Sequence, residues 1–279
     1  MKSKRLPRNF HKSFKPERQY LTSLLRYISS GRSGDFQEIA DATGIPMGSS
    51  SGKVPAILDY SRGMGLIKLE PTSNRSSKKS ALLTNFGRVV LLEDPFLKCE
   101  ISQWLAHFNM CSQINGADIW YYTFFEGTKL LGSEFKREQL EQHLRVIYGL
   151  NNTNLIGPMV GMYDDEASFK KCAAIRESSG HIVKKTPPIL DEMGYGYGAW
   201  VIQLLEDYFP KQHQVSITDL NRVSGWQTIP GWSNYSVPAV LDLLERKGLI
   251  SVDRQMNPWL IQSKMRAEQV WRNVYIDII

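Results

Sequence analysis

Two stretches of this chain decide its fold: VPAILDYSRGMGLI at residues 54–67 and VPAVLDLLERKGLI at residues 237–250, nearly the same fourteen letters 183 positions apart. Nine of the fourteen positions are identical or differ only as Ile against Val. Apolar residues at Val54, Ile57, Leu58 and Met64 recur at helical spacing. Gly65 then stops the helix, and Leu66 to Leu69 alternates as a strand does. Pro55 and Pro238 fall in the first turn, where a missing amide hydrogen costs least.

Working outward, ERQYLTSLLRYISS predicts a longer amphipathic helix and DFQEIADATGI a short one ahead of the first copy. Helix, short helix, turn, helix, strand is the order of a winged helix, with the polar loop Thr72 to Ser80 as wing and ALLT as return strand. The second copy repeats the plan, with GAWVIQLLEDYF and SITDLNRVSGW as its first two helices and SVDRQMNPWLIQ as its hairpin. The stretch between the modules, through ISQWLAHF, ADIWYYTFFE and EFKREQLEQHLRVI, reads as helical, and GHIVKKTPPIL as a turn-rich connector. The expected architecture is mainly α with small β wings: two winged-helix-like modules flanking a helical core. Its parts are a basic arm (1–18), module 1 (19–92), the helical middle (93–185) and module 2 with a C-terminal helical tail (186–279). In that tail Val270, Val274, Ile276 and Ile279 either dock on their own core or mate with a second subunit, so a homodimer is open.

An apolar content of 42% suits a folded core, and the absence of 18 consecutive apolar residues or a secretory leader points to a cytoplasmic protein. Cys99, Cys111 and Cys172 are odd in number and widely spaced, which fits core thiols better than disulfides or a zinc site. The net charge of +6 is concentrated: residues 1–18 hold seven Lys and Arg against Glu17 alone. A second basic cluster contains Arg75, Lys78, Lys79 and Arg88. Such segments lie readily on nucleic acid. Module 1 adds Ser50, Ser51 and Lys53 at the entrance to its third helix and Arg62 within it, which together with Lys12, Lys15 and Arg18 make the candidate DNA contacts. In module 2, Trp226, Trp232 and Tyr235 either stack on unpaired bases or pack inside the module.

Several short motifs resemble a known set. FHKSFKPERQYL, LLTNFGRVVLLEDPFL and ISQWLAHF resemble elements of the bacterial family of unknown function numbered 4007, through His11, Phe14, Arg18, Leu83, Thr84, Gly87, Asp94, Pro95, Trp104 and His107. The resemblance implies a component of DNA phosphorothioation and phage-defence systems, which replace a backbone oxygen with sulfur. It further implies nicking of DNA for a sulfur-transfer machinery made of other proteins. Where many relatives have an acid after the first histidine this chain has Lys12, which suits phosphate contact better than metal ligation.

Phosphodiester cleavage needs carboxylates holding a divalent metal or a histidine base beside cations. Asp164 and Glu166 in the acidic run 164–166 are the candidate catalytic and metal-binding pair, for Mg²⁺ or Mn²⁺, although on a helix they would point about 200° apart. His11, close to Lys12, Lys15 and Arg18, is the candidate base. Asp191 and Glu192 before GYGYGAW form a weaker third option, because the glycines lack a phosphate-loop spacing. His107 fits a hydrogen-bonded core residue and Asp94 a helix cap. The chain has no PD…(D/E)xK arrangement, HNH set or GIY-YIG pair. Composition and spacing support DNA binding, either by a nickase or by a non-catalytic adaptor or regulator; a purely structural scaffold would show neither activity.

Overall fold

Both copies of the repeat form a helix followed by a strand, but they are buried very differently. The computed structural model describes residues 5–47, 52–71, 77–149 and 155–278. Its chain divides into two units, Met1–Lys185 and Thr186–Ile279. The fold mixes helices with small antiparallel sheets. Ser50, Ser51, Arg75 and Ile279 lie outside the described residues.

The first unit begins with α1 (Arg18–Ser29), α2 (Phe36–Thr43) and α3 (Val54–Gly63), then the hairpin strands β1 (Ile67–Leu69) and β2 (Ala81–Leu83). A capping box starts α2: the Asp35 carboxylate accepts from the Gln37 and Glu38 amides, and Glu38 accepts from the Asp35 amide (2.8 Å). Next come α4 (Asn85–Glu93), α5 (Glu100–Met110), α6 (Asp118–Phe124) and α7 (Thr128–Leu131). The unit is completed by β3 (Glu134–Lys136), α8 (Arg137–Tyr148), α9 (Gly157–Asp164), β4 (Ile175–Ser178) and β5 (His181–Lys184).

The middle region expected to be helical therefore contains a three-stranded sheet, ordered β3-β5-β4. The segment read as a connector supplies its central strand. Ser179 and Gly180, at φ 49° and 78°, make the tight reversal that pairs Ser178 with His181. With strands of three or four residues, the two-residue alternation is too brief to outweigh the helical pattern around it.

α3 lies in the core with Val54, Ala56, Ile57 and Tyr60 fully buried. Burial of Val54 and Ile57 contributes roughly 1.5–3 kcal/mol each. The amino-terminal segment is also built into this core, because its basic residues alternate with apolar anchors. Leu6 is fully buried, and its backbone bonds Gly116 (2.8 Å) and Asp118 (2.9 Å). Phe10 packs edge-on against Tyr60, with ring centroids 4.8 Å apart.

The second unit holds α10 (Gly194–Tyr208), β6 (Val215–Ser216), α11 (Ile217–Ser224), α12 (Val237–Arg246), β7 (Ile250–Asp253), β8 (Leu260–Ser263) and α13 (Ala267–Trp271). Its sheet order is β6-β8-β7. Gly198 lets α10 approach Leu249, whose Cδ1 would lie 2.3 Å from an added Cβ, so this glycine serves packing. Val270 and Val274 are buried within the unit and α13 packs on α10, whereas Ile276 is exposed.

A cationic cleft as candidate nucleic-acid interface

The corner between α4 and α5 is fixed by Asp94. Its carboxylate accepts from the Lys98 amide (2.7 Å), the Cys99 amide (2.9 Å) and the Ser102 hydroxyl (2.6 Å). By position Asp94 is the C-cap of α4, and its carboxylate gathers amides of the turn that precedes α5 instead of heading a helix at Pro95, which corrects the cap expected of it. Arg18, the first residue of α1, reaches the same corner. Its guanidinium donates to the carbonyls of Phe96 (3.3 Å), Leu97 (3.5 Å) and Glu166 (2.6 Å), tying three segments together. Buried Gln103 forms the floor, donating to the Leu97 carbonyl (2.8 Å) and accepting from the Cys172 amide (3.1 Å).

Above that floor opens a cleft of about 390 Å³ lined by Arg18, Lys98, Gln103, Glu166, Lys170 and Lys171. Four of the six are cations. Glu166 pairs with Lys170 at 3.0 Å, while Lys98 and Lys171 form no ion pair among the described residues. The cleft therefore carries uncompensated positive charge, and an anion entering it meets donors already in place.

The predicted site residues are only partly gathered here. Arg18 and Glu166 line the cleft, and Lys15 sits beside it, paired with Asp165. That lysine's hydrogen bond holds the Asp165 carboxyl below its ordinary range. Lys12 is exposed on a left-handed turn at φ 46°. Lys53 is tied to Glu17 (2.6 Å) and lies over the Tyr20 ring (4.7 Å), with its side chain 14% exposed. Arg62 pairs with Asp59 (3.4 Å). Lys78 is exposed, 3.9 Å from Glu38, and Lys79 lies over the Phe36 ring. α3 is buried except at Asp59 and Arg62, which pair with each other, so it offers only a narrow polar strip to a groove, against the expectation that the first module reads DNA through an open third helix.

The acidic run does not form a metal site. α9 ends at Asp164, and the next two acids go to different cations, Asp165 to Lys15 and Glu166 to Lys170. Among the described residues no three His, Cys, Asp or Glu side chains come together to hold a metal ion. The donors present do not fit a resident Mg²⁺ or Mn²⁺ at Asp164 and Glu166, and no chemical step is derived through one.

His11 is buried, and its Nδ1 accepts the Ser13 amide hydrogen (3.1 Å). Desolvation lowers its pKa to about 4, against a smaller opposing pull from the Arg8 backbone. With Nδ1 occupied, the proton sits on a buried Nε2, so the ring is poorly placed as an open base. His107 is a core residue, as expected. Its Nδ1 lies 2.6 Å from the Tyr163 hydroxyl, which also accepts from the Trp120 indole (2.9 Å). The sequence reading missed Lys98, Lys170 and Lys171. The pair at 170–171 was the available signal, a short step beyond the acidic run 164–166.

The second unit offers a different surface. Trp226 and Trp232 are buried, so the packing reading of that loop holds for both, while Tyr235 is 95% exposed. Asn221, Gln227, Asn234, Asn257 and Trp259 help line a cleft of about 420 Å³ that carries no charged side chain. Asp191, the first of the two acids before the glycine run, pairs with Lys247 (2.5 Å). No helix among the described residues is long and apolar enough to cross a membrane.

No curated protein matches the chain. The fold is similar to a magnesium ion-bound SspB crystal structure, with a TM-score of 0.72 at 15% identity over 96% of this chain and 88% of that one. A second SspB crystal structure gives 0.71 at 15% identity over 99% and 90%. The model of a family described as a protein of unknown function, DUF4007, matches residues 9–156. Since that match spans more than half of the sequence, the chain belongs to the DUF4007 family.

Proposed function

We propose that this protein is a DNA-binding component of a bacterial phosphorothioation and phage-defence system, and that the cleft of the first unit grips the sugar-phosphate backbone. The carrying observation is Lys98 and Lys171, two cations without acid partners among the described residues, set around Arg18 in a preformed cleft. Charge distribution supports the same unit: residues 1–185 contain 26 Lys and Arg against 18 Asp and Glu. Binding by such groups releases counterions, so affinity falls steeply with salt. Removing Lys98 and Lys171 together by alanine substitution should weaken DNA of any sequence and reduce the salt slope by about 2. An unchanged slope and affinity would remove the cleft from the proposal.

The likeness to SspB and the family resemblance extend the proposal to DNA nicking with Mg²⁺ or Mn²⁺. The test is conversion of supercoiled plasmid to open circle, with EDTA as control and Asp164→Ala, Glu166→Ala and His11→Ala as variants. Because Glu166 is engaged by Lys170 and His11 is buried, all three variants should cut as the parent does, which places the chemistry on other residues; loss of cutting in any one of them would return it there.

A second reading is a non-catalytic adaptor that holds DNA on one unit and a partner protein on the other. It is favoured by the second unit's charge, eight Lys and Arg against ten Asp and Glu, and by its uncharged cleft. We read the three helices and hairpin of each unit as winged-helix modules. In the first the third helix is internal, whereas α12 leaves Ala239, Asp242 and Arg246 exposed.

A further inference from the structure

Asp94, Pro95, Phe96 and Leu97 have distinct fates at the corner that shapes the cleft. The Asp94 carboxylate accepts from the Lys98 and Cys99 amides, the Pro95 carbonyl accepts from Thr22, and Leu97 is fully buried. Phe96 alone turns outward, 42% exposed beside the cleft. Its backbone carbonyl is held by Arg18, so the ring's attachment point is fixed. Lys98, a cleft residue, lies 5.9 Å from the ring centroid, and the Arg26 guanidinium of α1 lies 5.7 Å from it. Both cations lie over the exposed ring, and an unpaired base stacks there by displacing these long side chains, which then turn to the neighbouring phosphates. In a closed duplex each base face is covered by the next base pair, so the ring has nothing to stack on.

Building on the DNA-binding reading above, we propose that Phe96 makes this cleft a single-stranded DNA site, stacking one unpaired base while Lys98 and Lys171 hold the adjoining phosphates. The test is fluorescence anisotropy at fixed low salt with a labelled oligothymidine strand and an A·T duplex of equal length. The intact protein should bind the strand more tightly. Phe96→Ala should weaken strand binding by at least about fivefold and duplex binding by less than about twofold, while Phe96→Trp retains the preference. Lys171→Ala should weaken both ligands. Because Phe96 is exposed, its variants should keep the parent melting temperature, which separates lost stacking from lost folding. Duplex binding with no selective effect of Phe96→Ala overturns this inference and leaves the DNA-binding reading standing. Binding of neither oligonucleotide removes both.

Discussion

His11 and His107 show how burial limits what a residue can do. Desolvation lowers their folded-state pKa values to about 4 and about 3, against about 6.5 in an unfolded chain. As pH falls through 6.5 the unfolded chain takes up protons that the folded chain refuses, so the unfolded state gains. Stability from these two groups is therefore complete above about pH 6.5 and declines as pH drops toward 3 to 4. The loss is roughly 1.4 kcal/mol per pH unit for each histidine within that window. Urea unfolding at pH 6 and pH 5 should show this decline, and His107→Gln should flatten it by about half even though the variant is less stable overall. An unaltered slope would mean that His107 is not held neutral. The motif residues Thr84, Asp94, Trp104 and His107 likewise make structural contacts: the Trp104 indole, for example, donates to Glu100 at 3.1 Å.

Between elements, the closest approach is where α4 leaves the hairpin. Thr84 caps α4, accepting from the Gly87 amide (2.9 Å) and donating to the Gly65 carbonyl (2.6 Å). A Cβ on Gly87 would lie 1.9 Å from the Leu66 carbonyl oxygen, a backbone atom with no room to yield. Gly87→Ala should therefore cost about 1–3 kcal/mol, read as a lowered melting temperature, although alanine is the better helix former. A melting temperature at or above the parent's would contradict the packing. The same scale explains the unequal repeats. Where α12 continues with Glu245 and Arg246, α3 has Arg62 and Gly63, and Gly63 lies against Leu6 and Met110. The small residue lets the amino-terminal segment and α5 close over α3, so one copy becomes core and the other keeps an exposed face.

Over the whole molecule the formal charge is split. The first unit carries an excess of eight cations and the second an excess of two acids. Ultraviolet cross-linking of bound DNA followed by peptide mapping should mark peptides from residues 1–185, with those spanning Lys98 and Lys171 prominent. Cross-links concentrated at Tyr235 or on α12 would shift the DNA surface to the second unit.

The sequence by itself determined the repeat, the order of helix and strand around each copy, and the core thiols Cys111 and Cys172, because these depend on periodicity and apolar patterning. Tertiary structure alone decided which copy is buried, that the basic amino-terminal segment is anchored through Leu6 and Phe10, and where the cleft lies. The cleft joins residues 18, 98 and 166–171, which are adjacent only after folding. Net charge along a chain locates cations but not their partners. It is the pairing of Lys53 with Glu17 and of Lys15 with Asp165, against Lys98 and Lys171, which have no ion pair among the described residues, that sets which positive groups remain available to a ligand.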